Sequence, residues 1–259
     1  MAIETFKRYE NKYRLSQPSA LLLQDLLRPH MDPDPHNAGG ALYPIHTLYY
    51  DTPGSDFIRA SLQKPSYKEK LRLRSYGRPE MDSEVFVEIK KKVAGVVNKR
   101  RSAMRLSQAY AFLKSGELRG NIPTQNAQVL REIAYVLSRC ELRPALHMSY
   151  ERLAFRGERD LRVSFDRNIL ARRGDLRLES GAHGDPLLTS GEWLMEIKAA
   201  QSLPLWLCRL LSELRIYPAG FSKYGSAYTR ELLRQGADGR PFVPARKPEI
   251  DLPAHPALA

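Results

Sequence analysis

The sequence predicts an α+β protein built on an antiparallel closed β-barrel of about eight strands with flanking helices. Three observations predict it. Most of the chain falls into short runs that alternate polar and apolar residues. Turn-forming residues separate those runs. The few segments with helical periodicity are amphipathic and need an apolar surface to pack on.

The strand runs are Thr5 to Leu15, Ile45 to Asp51, Ser66 to Tyr76, Glu84 to Lys92, Val97 to Leu106, Ala145 to Phe155, Leu161 to Ile169 and Leu194 to Ala199. Asp51-Thr52-Pro53-Gly54, Tyr76-Gly77-Arg78-Pro79, Arg156-Gly157 and His183-Gly184-Asp185-Pro186 punctuate them. Helices are predicted over Pro18 to His30, with Ser16 as cap, and over Ser55 to Lys64, Leu106 to Lys114, Gln125 to Cys140, Leu205 to Arg215 and Ser222 to Arg234. Residues 1–235 read as one domain. The Pro-rich stretch 236–259 reads as a loose tail.

Side chains of a strand alternate between its two faces. In KLRLRSYG, Lys70, Arg72 and Arg74 share one face, and Leu71 and Leu73 the other. In EVFVEIKKK, Glu88, Lys90 and Lys92 oppose Val85, Val87 and Ile89. Glu196 and Lys198 oppose Met195 and Ile197. Arg162, Ser164 and Asp166 oppose Leu161, Val163 and Phe165. Arg8, Glu10 and Lys12 oppose Tyr9 and Tyr13. A half-solvated sheet shows this alternation as well. Here, however, the polar faces repeat charges two residues apart and carry few Ser, Thr or Gln. The apolar faces supply the packing surface the helices need, which turns the charges toward a barrel interior. Confined Lys and Arg repel one another and lose hydration, and a polyanion relieves both. Glu10, Glu88 and Glu196 are hard oxygen donors suited to Mg²⁺ or Mn²⁺.

Composition agrees with an anionic partner. Lys plus Arg number 41 against 29 Asp plus Glu, a net charge of +12 over 259 residues. Charge alone leaves nucleic acid, phosphorylated substrates and acidic membranes open. Cys140 and Cys208 form no metal-ligand spacing, and their apolar contexts suggest buried free thiols. No secretory signal or membrane-spanning run is recognised, so a cytoplasmic protein is expected. The histidines, among them His36, His46 and His147, lack ligand spacing. Trp193 and Trp206 read as packing residues. No Walker loop or nucleophile elbow is present.

The strings RYENKY, YYDTP, KLRLRSYG, FVEIKKK, KRR, SYERLAF, LRVSFDRNI, MEIKAA and FSKYGSAY occur in this order through to Tyr228. Together they resemble the VTC-type polyphosphate polymerase domain of the triphosphate tunnel metalloenzyme (CYTH-like) superfamily. The resemblance implies a tunnel barrel, with ATP and polyphosphate as partners and no sequence-specific nucleic acid. It implies transfer of the γ-phosphoryl of ATP onto polyphosphate with a divalent metal. It assigns the triphosphate to Arg72, Arg74, Lys90 and Lys198. Further phosphate contacts fall to Arg8, Lys12, Lys70, Arg101, Arg152, Arg162 and Lys223, and the metal to Glu196, with Glu10 and Glu88 as further carboxylates. Two positions depart from the pattern. The superfamily's opening Glu-x-Glu-x-Lys is Arg8-x-Glu10-x-Lys12, and Gly220 stands where eukaryotic relatives carry a second Lys. The alternatives are a triphosphatase or polyphosphatase of the same fold and a non-catalytic polyanion-binding domain.

Overall fold

A computed structural model describes residues 9–63, 65–94, 96–117, 127–200 and 202–237. Its strands are β1 (Tyr9–Ser16), β2 (Asp32–Pro33), β3 (Tyr43–Asp51), β4 (Tyr67–Tyr76), β5 (Glu84–Val93), β6 (Val96–Arg105), β7 (Arg143–Arg156), β8 (Arg162–Arg172), β9 (Asp185–Pro186) and β10 (Glu192–Ala199). The helices are α1 (Gln17–Leu27), α2 (Asp56–Leu62), α3 (Leu106–Ser115), α4 (Ala127–Arg139), α5 (Leu205–Glu213) and α6 (Lys223–Ala237). Arg8, the start of the first predicted strand, and residues 238–259 of the predicted tail lie outside the described residues.

All strands join one antiparallel sheet in the order β1-β10-β8-β7-β3-β4-β5-β6, with β2 paired to β7 and β9 to β8. The sheet does not close, contrary to the barrel expected from the sequence: β1 and β6 are its two edges and are not hydrogen-bonded to each other. Part of the reason lies at β1. Ala219 N donates to Lys12 O at 2.7 Å, and Lys12 Nζ donates to Phe221 O at 3.1 Å. The segment ahead of α6 therefore takes the edge carbonyl of Lys12, which a neighbouring strand would otherwise use. The sheet is nevertheless strongly curled. Lys90 on β5 lies within electrostatic range of Glu10 on β1 and Lys198 on β10.

Two apolar clusters lie on the outer face. Tyr13, Leu153, Phe155, Val163, Phe165, Trp193, Met195 and Ile197 pack under α1 and α5. Leu71, Leu73, Val85, Val87, Ile89 and Met104 pack under α3 and α4. The helices meet them at helical spacing. Ala20, Leu23 and Leu27 are buried in α1, and Val129, Ile133 and Val136 in α4. Ser16 caps α1, accepting from Ser19 N at 3.3 Å, and Pro18 sits in the first turn. Gly116 ends α3 at φ 72°, its N–H bonded to Phe112 O. Gly184 is required in the loop before β9: at φ +134°, an added Cβ would stand 2.5 Å from Ala171 O.

A third apolar cluster lies on the inner face. Ile45, Tyr49, Leu146, Met148, Tyr150, Ile169 and Leu194 meet Ile58 of α2 and Tyr224, Ala227 and Tyr228 of α6. A bulge places Ile169 there. Asn168, at φ 49°, is the extra residue opposite Tyr150, where the β7–β8 register shifts. The inward series Arg162, Ser164, Asp166 therefore continues as Ile169 and Ala171, an ionic row giving way to an apolar one.

The free cysteines correct an expectation. Cys208, on α5, is exposed, and Cys140, just past the end of α4, is only partly buried. No helix among the described residues is long and apolar enough to cross a membrane.

The outer clusters carry the stability of this fold. Phe112→Ala in α3, at a side chain 1% exposed, is expected to cost about 3–5 kcal/mol in denaturant unfolding. A loss below about 1 kcal/mol would mean that α3 is not docked on the sheet.

Candidate polyanion-binding site

The inner face away from α2 and α6 is ionic. Strand register places its residues. Arg72 pairs with Tyr49 on one side and Glu88 on the other, and Glu88 pairs with Arg101. Lys70 pairs with Lys90, and Lys90 with Lys99. On the other half of the sheet, Arg152 pairs with Asp166, Lys12 with Glu196, and Glu10 and Arg162 with Lys198. The curl of the sheet brings the two halves face to face.

Three groups of carboxylates hold these cations apart. Glu88, 1% exposed, accepts from Arg72 Nε at 2.6 Å, with Lys99 Nζ at 2.9 Å and Arg74 Nη1 at 3.9 Å. Burial pushes its pKa up, but the three cations outweigh that and hold it far below the ordinary range. Asp166, fully buried, takes a two-pronged contact from Arg152 at 2.6 and 2.8 Å and an ammonium from Lys223 at 2.6 Å. Its pKa is lowered on balance, burial opposing Arg152 and Lys223. Glu10 and Glu196 form the third group with Lys12 and Lys198. Lys12 Nζ lies 3.2 Å from Glu10 and 3.5 Å from Glu196, and Lys198 Nζ lies 3.8 and 3.0 Å from the same two carboxylates. Burial raises the pKa of Glu196, but Lys198, Lys223 and Lys12 pull it well below the usual range.

Lys70 and Lys90 lie between these groups. Neither makes an ion pair among the described residues, and burial lowers the pKa of both. Nearby Lys12 adds to that for each, while Glu10 opposes it at Lys90 and Tyr49 at Lys70. These are charges without a partner, arranged around a space lined by further cations.

Of the residues singled out from the sequence, Arg72, Arg74, Lys90, Lys198, Lys12, Lys70, Arg152, Lys223, Glu10, Glu88 and Glu196 line this inner face. Arg101 is at its rim, over the Phe86 ring at 4.6 Å. Arg162 is at the strand end, 3.0 Å from the buried carboxylate of Asp34. Glu88 stands apart from Glu10 and Glu196, enclosed by Arg72, Arg74 and Lys99. His46 and His147 lie on the opposite face of the sheet with ring centroids 5.6 Å apart, and burial, with Arg172 nearby, lowers their pKa values to about 4 and 3.

Sequence reasoning missed three contributors. Lys99 shares the inner face at a position the period-two pattern allowed. Burial, with Arg72 and Arg74 nearby, lowers its pKa to about 7 against the pull of Glu88. Asp51 was read as a turn residue. It is fully buried, accepts from Thr52, Phe57 and Ile58 N–H groups and from Tyr224 Oη at 2.8 Å, and so locks α6, with Lys223, onto β3. Asp34 anchors Arg156 and Arg162. Each Asp also has local acceptor work, Asp51 at the start of α2 and Asp34 at His36 N, but the local sequence does not announce their long-range partners Tyr224, Arg156 and Arg162.

Glu10 and Glu196 suit a divalent cation. Two hard carboxylates beside Lys12 and Lys198 are the donor type of the usual Mg²⁺ arrangement, in which one or two protein carboxylates and substrate phosphates share the ion. Among the described residues no cluster of three or more His, Cys, Asp or Glu forms a site complete without substrate.

Two solved structures match along most of their length. One is a putative adenylyl cyclase, HpAC1, from Hippeastrum, described as having a dominant triphosphatase activity. It is 17% identical, with 92% of this chain and 98% of that chain covered and a TM-score of 0.49. The other, a putative adenylate cyclase from Bacillus halodurans, is 14% identical, with 82% and 92% covered and a TM-score of 0.51. At these identities the likeness concerns the fold alone. Comparison with curated protein sequences gives no match. The VTC domain model matches residues 7–231, and the chain belongs to the VTC domain family. Membership supports an enzyme acting on triphosphates or polyphosphate.

Glu88→Gln is expected to lower stability by about 3–5 kcal/mol at pH 7, since three cations lose their shared counter-charge. The pH dependence follows from the lowered pKa values of Glu88, Asp166 and Glu196. Their contribution is in place above about pH 4.5, where unfolded carboxyls are ionised, and is lost as the pH falls. Urea unfolding from pH 7 to pH 3 should show a shallower decline in Glu88→Gln than in the unsubstituted chain. Parallel declines would remove Glu88 from this account.

Proposed function

We propose that the chain is a polyphosphate polymerase that moves the γ-phosphoryl of ATP onto the end of a polyphosphate chain. The observation that carries the reading is the pair of partly buried ammoniums Lys70 and Lys90, without an ion pair among the described residues, beside Arg72, Arg74, Lys12 and Lys198. Such a group is stable only with a multiply charged anion among its members.

Arg72, Arg74, Lys90 and Lys198 hold the triphosphate and balance charge on the equatorial oxygens of the transferring phosphoryl. Lys12 and Lys70 extend the contact along the face, while Arg101 and Arg162 guide phosphate at the rim. Arg152 and Lys223, fixed by Asp166, set the far wall. Glu88 acts as internal counter-ion and positions Arg72 and Lys99; its three cationic neighbours argue against a metal there. Glu10 and Glu196 would hold Mg²⁺ or Mn²⁺, which would supply neutralisation of phosphate charge. A terminal oxygen of the polymer forms the new P–O bond, the bond to the β-phosphate oxygen breaks, and ADP leaves. The attacking oxygen is already ionised, so no strong general base is needed.

Hydrolysis of the same triphosphate is a second reading, and one feature favours it. The apolar cluster under α2 and α6 fills one end of the inner face. A growing polymer would have to leave by the other end or by the β1–β6 seam.

The test uses the purified chain with ATP and Mn²⁺ or Mg²⁺, a polyphosphate-staining gel, and parallel ADP and orthophosphate assays. Polymer with ADP and little orthophosphate is the expected result. Orthophosphate equal to ADP without polymer makes the protein a triphosphatase. Glu196→Gln and Lys90→Ala are each expected to reduce turnover by about 100-fold or more. Unchanged metal-dependent turnover in Glu196→Gln would reject its assignment.

A further inference from the structure

The inner face changes character where β3 begins. Tyr43, Tyr76 and Phe86 take inward positions there, paired in register with Arg152, Ile45 and Arg74. His36, in the 3₁₀ turn Pro35–Gly40, stacks on Tyr76 with ring centroids 5.2 Å apart and planes 1° from parallel. Tyr43 lies 5.8 Å from His36 and 6.2 Å from Tyr76. Phe86 meets Tyr76 edge-on at 5.7 Å and carries Arg101 on its face. His36 and Arg101 are exposed, and Tyr76 is 36% exposed, so the collar borders solvent.

This collar is held firmly without relying on its rings. Asn37 Nδ2 donates to Ala41 O and Arg152 O at 2.8 and 3.1 Å, and its Oδ1 accepts from Ala154 N at 2.9 Å. Asp34 accepts from His36 N at 3.1 Å with one oxygen and pairs with Arg156 and Arg162 with the other. The loop is thus pinned by Asn37 and Asp34; Tyr43 also packs against the third apolar cluster, and bracing the loop leaves His36, Tyr76 and Phe86 unexplained. Tyr43 Oη is buried and has no hydrogen-bond partner among the described residues, with Arg152 and Arg162 as charged neighbours.

Phosphate gains nothing from an aromatic ring. A nucleobase gains stacking whatever its identity, since every base presents a π-face. We infer that the His36–Tyr43–Tyr76–Phe86 collar receives the base of a nucleoside triphosphate, whose phosphates run inward past Arg152 and Arg74 to the lysines. The inference rests on the triphosphate reading above and deepens it: the collar gives the donor's base a stacking surface with little choice of base.

The test compares two probes by calorimetry on the full chain with Mg²⁺: the β,γ-imido analogue of ATP and inorganic tripolyphosphate. Tyr76→Ala and His36→Ala are expected to weaken nucleotide binding about tenfold each. Tripolyphosphate binding should stay within about twofold, which also shows that the site is folded. Tyr76→Phe, which keeps the ring, should match the unsubstituted chain. Equal losses for both probes, or none for the nucleotide, would overturn the inference. Failure of the unsubstituted chain to bind tripolyphosphate would instead bring down the triphosphate reading, and the inference with it.

Discussion

Mutual repulsion among basic side chains on one enclosed face is the constraint to which the rest of this structure answers. Two unit charges 4 Å apart interact by roughly 4 kcal/mol at the effective dielectric of a protein surface. Such a face persists only if carboxylates are threaded through it. Glu88, Asp166 and the Glu10–Glu196 pair do this at separate points, and each neutralises cations from more than one element. They leave Lys70 and Lys90 uncompensated between them. The arrangement balances most of its charge internally and leaves an excess for a ligand.

An ionic interior dictates the rest of the architecture. With charges turned inward, the apolar sides of the strands face out, and helices must cover them. α1 and α5 cover one half of the sheet, α3 and α4 the other. α6 has a different task. It packs on the inner face with α2, is tied to β3 through Tyr224 and Asp51, and delivers Lys223 to Asp166. An element on the apolar end of the interior thereby sets a residue of the ionic end. The segment before α6 also takes the edge carbonyl of Lys12.

The alternation of charge and aliphatic side chains made the strands, their inward faces and most of the cationic residues legible in the sequence. It did so because a period of two is a property of the strand itself. Features that depend on partners far along the chain were not legible. Nothing in LRVSFDRNI announces that Asn168 bulges and replaces an inward polar position with Ile169. Eight alternating runs suit an open sheet as well as a closed one, and the choice rests on loop contacts at Lys12. Lys99 sits in a basic run whose inward member alternation alone does not single out. Asp34 and Asp51 look like ordinary turn residues, because their partners lie up to 173 positions away. The cysteines misled because apolar neighbours in sequence do not fix burial: Cys208 takes the solvent face of α5, and Cys140 follows the end of α4.

The most direct measurement is a crystal structure of the chain soaked with inorganic tripolyphosphate. The account predicts phosphate density on the inner face, with oxygens within hydrogen-bonding distance of Arg72, Lys90 and Lys198. Well-occupied density confined to the outer surface, with those three side chains still facing an empty interior, would contradict it.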